Sequence, residues 1–368
     1  MSATTYDLVV VGGGIVGLGA AYAAVKRGQR VLVIERGASA TGASIRNFGH
    51  LCSGVHSGDA REYALVAREL WLQLSRDADF WVRESGTLIV ARHADELALL
   101  EAAANESSIK LLDRAEVEAT SPVAPGVSVG GGIVDRALQT NPRTALYAIT
   151  NHLAALGVEF QFRTAVTRVQ TGLVETTRGK VSTAQVVVAV NHDLDHLYPE
   201  LAEEAGVERC ALDMMRVQAT LRHPMNNPIL TGWSMLRYHS FAKRDEAKAV
   251  RERLHSERPD LAAIDINQMY TQLPDGSLLV GDTHTRDLVA SPFQSEDAQQ
   301  VMLDEAQALF GIEAPRVIER WQGVYASAGG SGFLSREIEP GVRALIVTSG
   351  NGMTCGLGFA ERELQPIF

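Results

Sequence analysis

The N-terminal third of the chain opens with apolar runs whose period changes from strand to helix and back. Tyr6-Asp7-Leu8-Val9-Val10-Val11 is rich in valine without polar alternation, the pattern of a strand buried on both faces. Glycines at positions 12, 13, 14 and 17 interrupt it, and Leu18 to Arg27, dense in alanine, predicts a helix stopped by Gly28. Val31-Leu32-Val33-Ile34 predicts a second buried strand ending in Glu35. The run from Leu8 to Val25 is nearly free of polar side chains. Its glycines, and the lack of a basic stretch ahead of it, argue against a membrane span or a signal peptide.

Arg61 to Ser75 is amphipathic and predicts a helix, Gly86 to Ala91 a strand, and Asp95 to Ser107 another helix. Gly130-Gly131-Gly132 lacks the Lys-Ser/Thr of a phosphate loop and reads as a turn. Asn141-Pro142 opens a helix from Arg143 to Leu156, followed by strands at Val158 to Phe162 and Ala184 to Val190, the latter ending in Asn191. Strands are also predicted at Met214 to Leu221, Asn267 to Leu273 and Ser277 to Val280, the last two joined by an Asp275-Gly276 hairpin turn. Phe241 to Pro259 carries mixed charges and reads as a solvated helix. Leu345 to Thr348 is a strand, followed by a glycine cluster at Gly350 to Gly358 and then a helix.

The chain has 368 residues, 46% hydrophobic and 21% charged, a globular composition sized for two joined domains. A net charge of -10 argues against nucleic acid or an anionic membrane as partner. Cys52, Cys210 and Cys355 are far apart in sequence, so neither a disulfide framework nor a zinc site is expected, and a reducing cytoplasm fits. His192 and His196 are spaced for a helix face, but no third ligand accompanies them, so no metal is expected.

The early glycines carry chemistry. In GxGxxG on Gly12, Gly14 and Gly17, the first allows the tight turn, the second lets backbone approach a pyrophosphate, and the third lets helix and strand pack closely. The helix N-terminus, with Ile15 and Val16, offers free N–H groups and a positive dipole end to phosphate. Glu35 stands where a carboxylate accepts hydrogen bonds from a ribose diol, and an acid there disfavours a 2′-phosphorylated ribose. The next segment, Arg36 to His50, is a loop of small and hydroxyl-bearing residues including Ala43, Ser44, Arg46, Asn47, Phe48 and Gly49. Such a loop suits a chain threading beside a cofactor longer than NAD.

The fingerprint together with TGASIRNFGH at residues 41–50 resembles the D-amino-acid oxidase superfamily, which includes glycine and sarcosine oxidases. The resemblance spans nearly the whole chain and is carried by its two ends. It implies an α/β fold, α+β overall. A discontinuous Rossmann-type FAD domain (1–80, 140–206 and 320–368) would carry an inserted substrate domain (81–139 and 207–319) on a largely antiparallel sheet. The loop through His50 would run along the pyrophosphate and flavin ring, Val166 would meet the adenine through its backbone, and the strand ending in Asn191 would return the chain to the FAD domain. Gly323 and Tyr325 would lie near the flavin. The segment holding Asn351, Gly352, Met353 and Thr354 would present a helix N-terminus to the pyrimidine end of the ring.

The implied activity is oxidation of a small primary or secondary amine. Hydride passes to flavin N5, the imine hydrolyses to an aldehyde or oxo product, and O2 reoxidises the flavin to give H2O2. Many such oxidases clamp a substrate carboxylate with an arginine after the Gly-Leu that Gly323-Val324 matches; here Tyr325 and Ala326 follow. Cysteines that bind flavin covalently in some members are missing from that segment, so FAD is expected to be noncovalent. In place of the clamp, Arg46 and His50 from the loop, Arg237, His239 and His284 are candidates, with Trp233 as an apolar wall. Several donors suit a three-oxygen anion. GASIRNFG and RWQGVYAS are also similar to a subgroup linked to aminophosphonate breakdown, which implies an aminophosphonate or N-methyl aminophosphonate substrate. Plainer readings stand beside these: Arg46 neutralises the pyrophosphate, Asn47 is a turn residue, and Tyr325 is a core aromatic. A glycine, sarcosine or D-amino-acid oxidase, an FAD-dependent 2-hydroxy-acid dehydrogenase and a noncatalytic flavin subunit remain alternatives, and homo-oligomerisation stays open.

Overall fold

The computed structural model describes residues 5–105 and 109–368; Ser107, the expected end of one helix, lies outside them. The predicted strand–turn–helix–strand unit founds an eight-stranded sheet. In it, Thr5–Val11 pairs in parallel with Val31–Ile34 on one side and Gly179–Val188 on the other. Glu159–Gln161 and Val342–Val347 extend it, also in parallel. Strands parallel to both neighbours are covered on both faces, which is why their sequences read as unbroken apolar runs. Antiparallel strands Val166–Gln170, Leu173–Thr176 and Phe333–Glu339 complete the sheet.

Helix Ile15–Val25 packs against the last helix, Gly352–Leu364. The approach is close: a Cβ on Gly19 would lie 3.1 Å from Ala360 Cβ. The C-terminal glycine cluster, expected ahead of a helix, is largely within one. A Cβ on Gly358 would lie 2.0 Å from the Tyr63 carbonyl oxygen, so that glycine seats the last helix on helix Gly58–Asp77.

Among the described residues the second sheet has nine strands and is largely antiparallel; only Thr87–Ala91 and Ile229–Leu230 pair in parallel. Its spine is Glu208–Gln218, paired along its length with Arg316–Ser327. That pairing moves one expected boundary. Residues 320–327 are expected in the FAD domain, but their strand pairs with Glu208–Gln218 in the second sheet, and the chain rejoins the first sheet at Phe333.

Two further expectations are corrected. Gly130-Gly131-Gly132 is not a turn but part of the buried strand Gly130–Val134, hydrogen-bonded on both edges. A Cβ on Gly131 would lie 2.6 Å from Ile89 O, and one on Gly132 2.8 Å from Ile109 Cγ2, so the glycines serve close packing. The charged stretch from Phe241 to Pro259 is not uniformly solvated. Helix Glu246–Glu257 buries Ala247, Val250 and Leu254, and Arg253 bonds Asp95 at 2.8 Å and the buried Glu96 at 2.7 Å.

A small sheet of His50–Leu51, Leu138–Thr140 and Val82–Glu84 holds His50 in place. No helix among the described residues is long and apolar enough to cross a membrane.

Candidate active site

A cavity of about 1380 Å³ runs from the first glycine turn, past His50, to residues of the second sheet. At the turn, each glycine has a separate reason. Gly12 has φ +105°, and a Cβ there would lie 2.5 Å from Ala189 O; a Cβ on Gly17 would lie 2.0 Å from Gly12 O. Gly14 differs, because its Cβ would meet only Ser44 Oγ, at 3.2 Å, and its free side borders the cavity. Ser44 Oγ accepts the Ile15 N–H at 3.0 Å, which leaves the other first-turn donors for a ligand. Glu35 accepts the N–H of Gly13 at 2.9 Å and of Gly37 at 2.8 Å. It thus fastens the turn while lining the cavity, and a carboxylate retains lone pairs for a ribose.

The rest of this half is a frame. Arg36 pairs with Asp193 at 2.6 Å. Arg46 is exposed and donates to Gln322 O at 3.0 Å. Asn47 is the turn residue of the plainer reading: it donates to Ala43 O and Ser44 O, each at 3.0 Å, and accepts the Gly49 N–H at 2.8 Å. Gly49 has φ +67°, and a Cβ there would lie 1.9 Å from Thr140 O. Phe48 is buried, and its carbonyl accepts from Thr271. Asn191 accepts the Ala326 N–H at 2.8 Å, tying the edge of the second sheet to the first. A Cβ on Gly323 would lie 3.0 Å from Arg46 O, so glycine lets the loop lie against that strand. Val166 lines the cavity, as do Gly352, Met353 and Thr354 at the start of the last helix, with Asn351 as its N-cap. A cradle that a Cβ at Gly14 would fill, two helix N-termini bordering one cavity and an acid at Glu35 fit FAD.

His50 is buried with Nε2 2.7 Å from Thr87 Oγ1. Burial and the nearby His56 bring its pKa down to about 3, so its imidazole is neutral at physiological pH. Farther in, the cavity walls include Leu212, Met214, Leu236 and Met269. Arg237 donates from Nη1 to Asp265 Oδ1 at 2.6 Å and to Asp265 O at 3.1 Å. Arg286 donates to Asp265 Oδ2 at 2.8 Å. His284 Nδ1 lies 3.2 Å from the Asp265 carbonyl, which only accepts, so Nδ1 carries the proton. His284 Nε2 lies 3.7 Å from Asp282 Oδ2. Burial pushes Asp282 up to about 7 against the pull of Arg237, and its Oδ1 has no hydrogen-bond partner among the described residues. Tyr325 meets the His284 ring edge-on at 6.4 Å, and its hydroxyl is paired with Cys210.

The cavity therefore gathers His50, Arg237, His239, His284 and Tyr325, with His239 exposed at its edge. Trp233 is a correction. It does not line the cavity but stacks on His255 at 5.6 Å, buried in the core, because its short helix Gly232–Met235 turns it inward. Missing from the sequence reading were Arg286, Asp265, Asp282, Asn267 and His56. Arg286 had a legible signal: it lies two residues beyond His284, and i, i+2 positions on an extended segment share a face.

A family model described as FAD dependent oxidoreductase, of the DAO group, matches residues 7–362. The chain belongs to this family. The chain is similar to the D-amino acid dehydrogenase of Helicobacter pylori (strain ATCC 700392 / 26695), with 26% identity over 44% of this chain and 52% of that protein. It thus spans about half the length of the curated relatives it matches. Its fold is similar to glycine oxidase from Geobacillus kaustophilus, with TM-score 0.77 and 19% identity, covering 98% of this chain and 97% of that one. It is similar also to L-proline dehydrogenase from P. horikoshii, with TM-score 0.78 and 17% identity over 99% and 94% of the two chains. The family is one of FAD-dependent oxidoreductases.

Proposed function

We propose that this FAD-dependent oxidoreductase oxidises a small primary or secondary amine that carries an anionic group, with an aminophosphonate or N-methyl aminophosphonate as the favoured substrate. The observation that carries this reading is the convergence of Arg237 and Arg286 on Asp265, beside His284, in the wall of the cavity. Bound FAD supplies the hydride acceptor. The two guanidiniums would hold and orient the anion, leaving the amine-bearing carbon toward the flavin. His50, neutral and held by Thr87, would supply a hydrogen-bonding wall without adding charge. The similarity to D-amino acid dehydrogenases supports a second reading, in which the anion is the carboxylate of an amino acid.

The test is an anaerobic visible spectrum of the holoenzyme before and after an N-methyl aminophosphonate is added. Bleaching of the oxidised-flavin band is expected. Bleaching by glycine or sarcosine, with no response to the aminophosphonate, would transfer the enzyme to the second reading.

Asp282 predicts a pH dependence. Below about pH 7 it is protonated and neutral; above, it places a negative charge near Arg237. The groups around it are Arg237, Asn267, Asp265 and His284. The KM for an anionic amine should therefore rise as the pH passes 7, by roughly three- to tenfold at partly screened charge separations. Steady-state profiles of the wild type and Asp282→Asn check this, since the variant should lack that rise.

A further inference from the structure

Asp265 follows helix Pro259–Ala263 in a tight turn with φ +45°, a backbone conformation that asparagine and glycine adopt more readily than most residues. Its carboxylate bridges two arginines that come from different parts of the chain, Oδ1 to Arg237 at 2.6 Å and Oδ2 to Arg286 at 2.8 Å. All three residues line the cavity, and Asp265 is 47% exposed, so it is neither a buried structural charge nor one remote from the ligand. One oxygen on each guanidinium is how a bound anion would be held. Both contacts use Nη1, so each guanidinium keeps further N–H donors. Together the trio bears one net positive charge where two arginines alone would bear two.

We propose that Asp265 is a built-in competitor at the anion site, occupying the guanidiniums that the substrate's acidic group engages and so setting how strongly the site binds anions. The proposal rests on the reading that Arg237 and Arg286 receive the substrate anion. A tethered carboxylate is present at high effective concentration. An incoming anion must displace it from at least one arginine or share the cations with it. Weakly held anions are thereby kept out, and a ligand that also makes contacts elsewhere in the cavity is favoured.

The experiment titrates inorganic phosphate into the wild-type holoenzyme and the Asp265→Asn variant, following perturbation of the bound-flavin visible spectrum and inhibition of amine turnover. Asparagine keeps the shape and tolerates the positive φ but removes the charge. The variant is expected to bind phosphate about tenfold more tightly, the effect of removing about 1.4 kcal/mol of competition. Equal or weaker binding would overturn the proposal and make Asp265 a residue that merely positions the arginines. Absence of phosphate binding to both proteins would overturn it too. If the asparagine variant loses FAD, Asp265→Gly repeats the comparison with a residue suited to this backbone. The spectral readout needs no amine oxidation, so failure of the aminophosphonate to bleach the flavin removes the favoured substrate and leaves this proposal to stand or fall on phosphate.

Discussion

Replacing Gly14 by valine is expected to leave a folded protein that no longer retains FAD. The reason lies in what a side chain would meet at each glycine of the turn. At Gly17 a Cβ would sit 2.0 Å from Gly12 O, and at Gly12 it would sit 2.5 Å from Ala189 O in a backbone with φ +105°. Substitutions at those positions collide with backbone and should impair folding. At Gly14 a Cβ would meet Ser44 Oγ at 3.2 Å, a side chain that can give way, and the space beside it belongs to the cavity. Valine there fills the place where a pyrophosphate approaches the helix N-terminus. Loss of two charge-assisted hydrogen bonds, at about 1.5–3 kcal/mol each, weakens FAD by about a hundredfold or more. Gly14→Val should purify colourless with a far-ultraviolet circular dichroism spectrum like the wild type, whereas Gly17→Ala should be poorly folded. A yellow, fully loaded Gly14→Val protein would refute this placement of the pyrophosphate.

The contrast between these glycines also separates what is legible in the sequence from what is not. The cofactor half is encoded locally. Strand, turn, helix and second strand lie within Thr5–Ile34, and the GxGxxG positions meet residues of this unit, Ser44 in the loop that follows it, or Ala189 at the end of the strand beside it. The glycines at 130–132 were misread because local rules treat a glycine run as a breaker. Here both neighbouring strands and the helices Ala94–Ala104 and Arg114–Thr120 crowd this strand so closely that a Cβ has no room, a tertiary effect that overrides propensity. The anion end of the cavity was only partly legible for a related reason. Arg237, Asp265 and Arg286 meet because the second sheet and its connecting turns bring them together, and nothing in their spacing announces it. Trp233 is expected from the sequence as an apolar wall of the site. The short helix that carries it places the tryptophan in the core and leaves Arg237 on the cavity.

Removing the charge of Arg237 should give the other large effect. Arg237→Gln is expected to lower kcat/KM for an anionic amine by about a hundred- to a thousandfold, the range associated with breaking a partly desolvated charge pair at about 3–4 kcal/mol. Bound FAD should be retained, because the guanidinium's partners are Asp265 and the substrate side of the cavity, not the glycine turn. Most of the loss should fall on KM if the arginine holds ground state and transition state alike; a matching fall in kcat would mean that it also aligns the reacting carbon. Arg286→Gln should act in the same direction but less strongly, since its side chain is 40% exposed against 20% for Arg237 and its charge is better screened. A small uncharged amine supplies the control. Its slow oxidation should be nearly indifferent to either substitution, because it has no anion to lose. Should Arg237→Gln instead oxidise the anionic amine within a few-fold of the wild-type rate, the two arginines would be braces for Asp265, and the anion site would have to be sought nearer His50.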